Sequence, residues 1–593
     1  MELSRSVSLF FLCTVAANSW AATGAEEPIR RIQNELLPPV LVKGDPVQPS
    51  KLSDRMAALH VPGVSVAVIH EGKLQWARGF GVTRIGGPAV TPETEFQAAS
   101  ISKPVTTLAV MRLVVDGKLN LDADINQYLH SWKLPANDFT QQSPVTLRKL
   151  LSHSAGVTVH GFAGYAANEP LPTLVQILNG EAPANSPPIR VDMAPGTRPR
   201  YSGGGYEIVQ QALLDVTGVP FAKLMHDTVL KPLGMQHSTY EAPAPAGILT
   251  HAATPYRGDG SPVKGGPHVY PEQAAASLWT TPSDLARVAI AVQKSLAGAP
   301  GGILPVGTAH AMLAPLFPHQ AVGFFVGGST SNKFFAHGGA NEGYRCDLVA
   351  YRNGDGAVVM TNGDNGSQLT SEILRTIAHE YHWPDYAPAE RTLAAVEPGS
   401  FDSHAGAYRL DSGEAVTFWR EDNHLQSQVV GQGPVEIFPT SDHEYFTRAV
   451  DARWDFQADA VTLYQNGASH IAKRLSGAEA QTALDNSAAI RKRFKDQTPA
   501  PGSEALLRRL VDGLESGNPN YDDLGPELAK LTRDELPGLK QAIASFGAMK
   551  TASFKGVSTA GADIYEVTFE NGVREFRIVV EADGRIHSAW FSN

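Results

Sequence analysis

The sequence predicts an α/β domain followed by a small all-β domain and an α+β domain. In residues 27–385, strand-like runs stand at both ends of a long helical stretch. Residues 398–476 hold only short strand-like segments, whereas residues 488–593 begin with helices and end with strands. A chain of 593 residues is too long for a single hydrophobic core, so several domains are expected.

The first domain opens with two strands and closes with a helix. Val64 to Ile69 is a mostly apolar run, and Lys73 to Arg84 follows it as a second strand. Helical periodicity begins at Lys103, and Ser371 to His382 is a helical pattern near the end of the domain. This order predicts a sheet built from both ends of the domain, with a helical insert between them.

Turn signals and linkers define the two domains that follow. Pro384 to Pro398 is rich in Pro and Ala and is predicted to be a linker, and Ser476 to Ala488 is predicted to be a second one. Six strand-like segments between them predict a small antiparallel sandwich or barrel. In the last domain, helices such as Pro526 to Phe546 precede strands joined at Asn571-Gly572, a strong hairpin signal.

The N-terminal segment has the pattern of a signal peptide, predicted at residues 1–22. Arg5 is followed by the apolar run Val7 to Ala17 and by a small-x-small cleavage site, Ser19 to Ala21. The apolar run is too short to span a bilayer. We therefore expect an exported protein, periplasmic or secreted, with no transmembrane segment.

Charge and cysteine content argue against several classes of function. The net charge is −11, and no basic footprint for nucleic acid is visible. Cys13 lies in the signal peptide, so Cys346 alone cannot form an intrachain disulfide or a Cys-rich zinc site. His379 to His382 is one residue short of a zinc protease signature. We expect no cofactor and no metal, and the sequence indicates no oligomeric state.

Ser100 and Lys103 form a Ser-x-x-Lys motif. Positions i and i+3 lie on the same face of a helix, so both side chains reach one site. A serine hydroxyl needs a neighbouring base to act as a nucleophile, and lysine is such a base only when its neutral form is favoured. A helix start also presents free N–H groups to an oxyanion. The motif predicts a nucleophilic serine, although four residues also occur by chance.

Two further motifs follow along the chain. Pro195 to Tyr206 places Tyr201 in a Gly-rich turn before a helix, where it is a candidate second proton carrier. Phe334 to Gly339 predicts a strand that ends in His337 and two glycines, and glycine lets a substrate backbone approach a strand edge. Taken singly, Tyr201 is more often a packing residue and His337 a structural one.

Together, the three motifs resemble those of the β-lactamase-related serine hydrolases, which include class C β-lactamases, D-Ala-D-Ala carboxypeptidases, D-amino acid peptidases and esterases. The resemblance covers about residues 45–385 and extends to Val145 to Val157, Leu230 to Met235 and Leu278 to Leu285. It implies a β-lactamase/transpeptidase-like α/β fold, in which an antiparallel sheet flanked by helices packs beside an all-helical lobe. The site would lie in the cleft between them.

The resemblance also implies roles for the site residues. Ser100 would form the acyl-enzyme, and Lys103 and Tyr201 would share proton transfer during attack and departure of the leaving group. The backbone N–H groups of Ser100 and Ala340 would form the oxyanion hole, with Ala340 directly after Gly339 of the His-Gly-Gly segment.

The chain departs from the β-lactamase pattern at two positions. Gly203 stands where the motif Tyr-x-Asn has its Asn, so an amide that contacts the substrate is missing. His337 replaces the Lys of Lys-Thr-Gly and is expected to titrate between about pH 6 and 7. Arg345 is a candidate to bind a substrate carboxylate. Peptides, D-Ala-type peptides or small esters are therefore the expected substrates, with weaker β-lactam hydrolysis.

Three function classes are compatible with these motifs. The first is a hydrolase that transfers acyl groups from amides or esters, and the second is a penicillin-binding or sensor protein that is acylated but turns over slowly. The third is a structural protein with a degenerate site, against which the intact Ser100, Lys103 and Tyr201 argue. The two C-terminal domains contain no comparable constellation of residues.

Overall fold

The computed structural model describes residues 17–330, 332–465 and 467–591. The chain forms two compact units. The first comprises the described residues up to Leu37 together with Gln48–Ala387, and the second comprises Pro38–Val47 together with the described residues from Pro388 onward. Among these residues no helix is long and apolar enough to cross a membrane. Residues 1–16, which carry most of the predicted signal peptide, lie outside the described residues.

A six-stranded antiparallel sheet forms the centre of the first unit. The strands before residue 388 are β1 (Val40–Val42), β2 (Gly63–His70), β3 (Lys73–Gly81), β4 (Phe96–Gln97), β5 (Trp279–Thr280), β6 (Phe325–Gly328), β7 (Lys333–Asn341), β8 (Tyr344–Tyr351) and β9 (Gly356–Thr361). The sheet has the order β3-β2-β9-β8-β7-β6. Two of its strands precede the helical stretch and four follow it, which confirms the predicted sheet built from both ends of the domain.

Helices flank the sheet and also form a separate lobe. They are α1 (Ala17–Asn34), α2 (Leu52–Ala58), α3 (Ser102–Val115), α4 (Asp138–Gln142), α5 (Leu147–Leu151), α6 (Leu174–Asn179), α7 (Gly203–Thr217), α8 (Phe221–Met225), α9 (Ala246–His251), α10 (Gln273–Ala276), α11 (Pro282–Leu296), α12 (Val306–Met312) and α13 (Gly366–Glu380). Helices α3 to α10 make up the lobe between the two sets of strands. The predicted α/β fold with a helical lobe is therefore confirmed.

The sheet is buried on both faces. In β2, Val64, Val66 and Val68 share a core with residues of α1 and α13, whereas Ala67 and Ile69 share another core with α11 and the lobe. A strand that is covered on both faces is a near-continuous apolar run, which is the pattern that predicted it. Helix α3 is buried along most of its length, as expected for a helix that is apolar on all sides.

The second unit contains a closed antiparallel barrel. Its first elements are β10 (Ala389–Arg391), α14 (Pro398–His404), β11 (Gly406–Leu410), β12 (Ala415–Glu421), β13 (His424–Val429), β14 (Val435–Pro439), β15 (Glu444–Thr447), β16 (Ala452–Phe456), β17 (Ala460–Gln465) and β18 (Ala468–Arg474). Strand β10 pairs with β1, and β11 to β18 close the barrel because β18 pairs with β11. The structure thus decides between the predicted sandwich and barrel, and closure removes exposed strand edges.

Helices and a four-stranded sheet complete the second unit. They are α15 (Gly477–Asp496), α16 (Ser503–Ser516), α17 (Pro526–Phe546), β19 (Met549–Val557), β20 (Asp563–Phe569), β21 (Gly572–Val580) and β22 (Ile586–Phe591), with the strands paired in sequence order. The predicted linker Ser476 to Ala488 is wrong, because the segment belongs to α15. Its alanines favour helix, and the Ser487 hydroxyl exchanges hydrogen bonds with Thr417 and Gln428 of the barrel.

Candidate active site

Ser100 lies on the turn that leads into α3. Residues Ala99–Ile101 form a short 3-10 turn, and α3 begins at the next residue. Ala99 has a φ of +49°, in the left-handed region, so the backbone is strained one residue before Ser100. Lys103 Nζ donates hydrogen bonds to Ser100 Oγ over 2.9 Å and to Ala275 O over 3.0 Å. The structure therefore joins the serine and the lysine in one hydrogen-bonded pair.

The Lys103 side chain is almost enclosed, with an exposed fraction of 2%. Its Nζ lies 5.0 Å from the ring centroid of Tyr201 and 5.9 Å from that of Tyr206. Two acceptors and two aromatic faces thus surround the amine. A neutral amine at this place is in reach of the Ser100 proton, because the same hydrogen bond can run in the opposite direction.

Tyr201 is held by the helix cap behind it and by a histidine. It precedes Ser202, which caps α7 by accepting a hydrogen bond from Gly205 N over 2.9 Å. The ring of His153 lies 4.2 Å from the Tyr201 ring, and its Nδ1 accepts a hydrogen bond from Ser202 N over 3.1 Å. Burial lowers the pKa of His153 well below its usual range, so this ring is neutral. His153 therefore positions Tyr201 without adding charge.

His337 lies in β7 with its ring 6.2 Å from that of Tyr201. Its Nδ1 is 2.6 Å from Gly338 O, and since a carbonyl only accepts, Nδ1 carries the proton. Burial, followed by the charge of Lys103, lowers the pKa of His337 to about 3. The expected titration of His337 between about pH 6 and 7 is therefore wrong, because the ring is out of contact with water. The ring is neutral, and among the residues that the structure describes none donates a hydrogen bond to Nε2.

Gly339 brings β7 against the turn that carries Ser100. A Cβ at this position would lie 2.3 Å from Ala98 O and 3.2 Å from Ala99 Cβ, so no side chain fits. The sequence interpretation assigned this glycine to the approach of a substrate, whereas here it permits the approach of the protein's own backbone. Ala340, the next residue, is exposed and continues β7 beside the same turn. The contribution of its N–H to an oxyanion hole stays a prediction.

Comparison with known proteins identifies the family. The Beta-lactamase family model matches residues 50–380, which is more than half of the chain. The chain belongs to the beta-lactamase family. This confirms the resemblance drawn from the three motifs, all of which lie within the matched range.

Individual relatives are distant. Protein flp of Staphylococcus aureus (strain N315) is 26% identical over 229 residues, which are 38% of this chain and 42% of that protein, so the chain spans less than half of its length. Penicillin-binding protein 4* of Bacillus subtilis (strain 168) is 22% identical over 420 residues, covering 64% of this chain and 87% of that protein. The octameric penicillin-binding protein homologue from Pyrococcus abyssi has 20% identity and a TM-score of 0.49, covering 71% and 98%.

Gly203 departs from the β-lactamase motif for a steric reason. It is the first residue of α7, and a Cβ there would lie 2.9 Å from Cε2 of Phe162 and 3.2 Å from His160 O. The loop that carries Phe162 and His160 therefore occupies the space of the missing Asn side chain. The ring of His160 also contacts that of Tyr201 at an interplanar angle of 45°, with centroids 4.9 Å apart. In this beta-lactamase-family site, the ring of Phe162 therefore lies where the Asn side chain of the β-lactamase motif would be.

Arg345 is not brought to the site. Its neighbour Cys346 faces Ser100's turn, since the Cys346 thiol donates to Ala98 O over 3.0 Å. Successive residues of a strand point to opposite faces, so Arg345 points away from Ser100. Its guanidinium pairs with Asp364 Oδ1 at 3.0 Å and donates to Asn341 O. The prediction that Arg345 binds a substrate carboxylate at Ser100 is wrong, because strand alternation directs it to α13's side of the sheet.

The structure also adds residues that the motifs did not indicate. Asn341 Nδ2 donates to Gln97 Oε1 over 2.7 Å and to Ala276 O over 3.1 Å, which ties the end of β7 to the other walls of the site. Glu207 is fully buried near Lys103, and Glu272 is fully buried near Glu207. No motif contains these residues. The sequence signal that could have indicated Glu207 and Glu272 is the presence of an acidic residue within a largely apolar segment.

Proposed function

We propose that the protein is an exported serine hydrolase that forms an acyl-enzyme at Ser100 and hydrolyses amide or ester bonds. The observation that carries the proposal is the 2.9 Å hydrogen bond between Lys103 Nζ and Ser100 Oγ, inside an enclosure shared with Tyr201. A serine that is hydrogen-bonded to a buried base, with a tyrosine ring beside that base, has the parts that nucleophilic acyl transfer needs. The signal-peptide pattern of residues 1–22 supports export.

In the proposed reaction, Ser100 Oγ attacks the substrate carbonyl while its proton passes to Lys103. The carbonyl oxygen becomes an oxyanion, which the N–H groups of Ser100 and Ala340 stabilise. Lys103 and Tyr201 then deliver the proton to the leaving nitrogen or oxygen, whose bond to the carbonyl carbon breaks. Water attacks the resulting ester, the same pair removes its proton, and Ser100 regains its hydrogen as the acid departs.

The charges around the site favour substrates without a carboxylate beside the scissile bond. The rings in contact with Tyr201 belong to His153, His160, Phe325 and His337, and none of these side chains carries a permanent positive charge. Arg345 lies on the opposite face of β8. Neutral amides and esters therefore suit the site better than β-lactams or peptides with a free terminal carboxylate, both of which are anionic.

The alternative is a penicillin-binding protein that is acylated but turns over slowly. The match to Penicillin-binding protein 4* favours this candidate. Pre-steady-state kinetics with a chromogenic ester and a cephalosporin distinguishes the two. A hydrolase gives continued turnover after the first equivalent of product, whereas a slow acyl-acceptor stops after a burst of one equivalent per protein.

Labelling by a fluorophosphonate probe tests the nucleophile. Ser100→Ala should abolish covalent labelling, because it removes the oxygen that forms the bond. The matched control is Ser102→Ala, two residues away. The Ser102 hydroxyl donates a hydrogen bond to Ala99 O and accepts one from Leu278 N, and it has no role in the proposed reaction. The control should still be labelled. Labelling that persists in Ser100→Ala would refute the assignment.

A further inference from the structure

Two buried carboxyl groups lie behind Lys103 and take no part in the proposed reaction. Glu207 is in the second turn of α7, and Glu272 immediately precedes α10. Both side chains have an exposed fraction of 0%. Acidic residues are rarely buried without a partner, so their presence beside the catalytic lysine requires an explanation.

Glu207 is linked to Lys103 through the backbone of a single residue, Ala275. Its Oε1 accepts a hydrogen bond from Ala275 N over 3.2 Å, and Ala275 O accepts the 3.0 Å hydrogen bond from Lys103 Nζ. Gln210, one turn later on α7, accepts from Ala274 N over 2.7 Å. Helix α7, which starts just after Tyr201, thus binds the backbone of Ala274 and Ala275, and Ala275 O in turn accepts the hydrogen bond from Lys103.

The protonation state of the pair follows from its surroundings. Within the part of the chain that the structure describes, Glu207 Oε2 and both oxygens of Glu272 have no hydrogen-bond partner. Burial raises the pKa of Glu207 well above its usual range, helped by repulsion from Glu272, and burial raises the pKa of Glu272 to about 8. The charged or titratable groups that face the pair are Lys103 from α3 and the hydroxyls of Tyr165 and Tyr270.

We propose that Glu207 is a positioning residue for acylation: its carboxyl holds the backbone of Ala275, and the carbonyl oxygen of Ala275 holds Lys103. The inference rests on the proposed function. A neutral carboxyl keeps an oxygen that accepts the hydrogen bond from Ala275 N. A carboxylate there would instead favour the ammonium form of Lys103, which cannot accept the Ser100 proton.

The proposal gives a pH dependence with a definite sign. Below about pH 8 the pair is neutral and leaves Lys103 free to act as the base. As the pH rises through the pKa of Glu272, this carboxyl loses its proton and places a negative charge near Glu207, which holds the Ala275 backbone. Acylation by the wild-type protein should therefore decline on the alkaline side relative to a variant in which the pair cannot ionise.

The test measures kcat/KM for a neutral chromogenic ester from about pH 6 to 9.5 with the full-length protein. Glu207→Gln keeps the acceptor for Ala275 N and should stay within about three-fold of wild type at pH 7. Glu207→Leu removes the acceptor and should lower kcat/KM by about 10- to 100-fold through misplacement of Lys103. Glu272→Gln should lose the alkaline decline, whereas Glu207→Gln, which retains Glu272, should keep it.

Three outcomes would overturn the proposal: a loss in Glu207→Gln as large as that in Glu207→Leu, wild-type kcat/KM in Glu207→Leu, or an alkaline decline that survives in Glu272→Gln. If Glu207→Leu does not fold by circular dichroism, the pH profiles of the Gln variants decide alone. Failure of the proposed function is distinguishable, because the wild-type protein would then not be labelled at Ser100 at all.

Discussion

Ser100 and His337 show how burial sets the chemistry of single residues in this site. Ser100 is partly exposed, while its partner Lys103 is enclosed and donates a hydrogen bond of 2.9 Å to the Ser100 hydroxyl. His337 is enclosed as well, and loss of solvent removes its charge across the neutral pH range. A histidine that replaces the lysine of the β-lactamase motif therefore contributes an acceptor nitrogen, and not a weaker cation.

The first residue-scale prediction concerns charge discrimination. For a neutral ester and a matched ester that bears a carboxylate, the ratio of the two kcat/KM values should change by less than about two-fold from pH 5.5 to 8, because His337 stays neutral. His160 is an exposed imidazole that also contacts Tyr201, so the measurement is repeated in His160→Gln. A preference for the anionic ester that disappears with a midpoint near pH 6.5 in both proteins would contradict the prediction.

At the scale of elements, two glycines determine how closely α7 and β7 approach their neighbours. Gly339 leaves room for the backbone of Ala98, and Gly203 leaves room for the ring of Phe162. In both places the missing side chain is replaced by contact between protein segments. The loop that carries His160 and Phe162 therefore helps to shape the substrate side of Tyr201, together with Phe325 of β6.

Restoring the β-lactamase motif with Gly203→Asn should lower stability by about 1 to 3 kcal/mol, because the new side chain overlaps the Phe162 ring. It should not raise cephalosporin turnover. Thermal unfolding and kcat/KM for a cephalosporin report the two effects. The control is the double variant Gly203→Asn with Phe162→Ala, in which the ring is absent and the asparagine gains space. If Gly203→Asn alone is as stable as the wild type and turns over cephalosporin faster, the loop that carries Phe162 moves to admit the side chain, and the prediction is wrong.

At the scale of the whole molecule, every residue assigned to the reaction lies in the first unit. The second unit is stabilised by interactions of its own. Its barrel is closed by β11 and β18 and filled by aromatic side chains such as Phe418 and Trp454. Beyond the barrel, Arg493 of α15 pairs with the fully buried Asp563 over 2.7 Å, and Asp563 also accepts from Ala500 N.

Removing one partner of this buried pair should be costly, because the other charge is left without compensation. We expect Asp563→Ala to destabilise the second unit by about 3 to 5 kcal/mol. Glu504→Ala, which breaks the exposed pair with Arg508, is the matched control and should change stability by less than about 1 kcal/mol. Calorimetry measures the stability, and fluorophosphonate labelling of Ser100 should persist in both variants. An unchanged unfolding profile in Asp563→Ala would contradict the prediction.

The sequence by itself was sufficient for features that depend on local spacing. The Ser100–Lys103 pair follows from the pitch of a helix, and the alternation and turn signals of residues 398–476 predicted most barrel strands. Tyr201 and His337 are far from Ser100 in the chain, and only the resemblance to a family joined them to it. The helix α15 was missed, because an Ala- and Ser-rich segment is compatible with both a linker and a helix until the barrel supplies a partner for Ser487.

Only the tertiary structure decided the electrostatics and the fit of the site. The charge of His337, the side of the sheet that Arg345 faces, the aromatic ring in place of an Asn at Gly203, and the carboxyl pair behind Lys103 all depend on residues distant in sequence. The physical reason is that a side chain's charge and free space are set by what surrounds it in three dimensions. Spacing along the chain names the reacting groups, but burial by remote segments determines their protonation and the substrates that they admit.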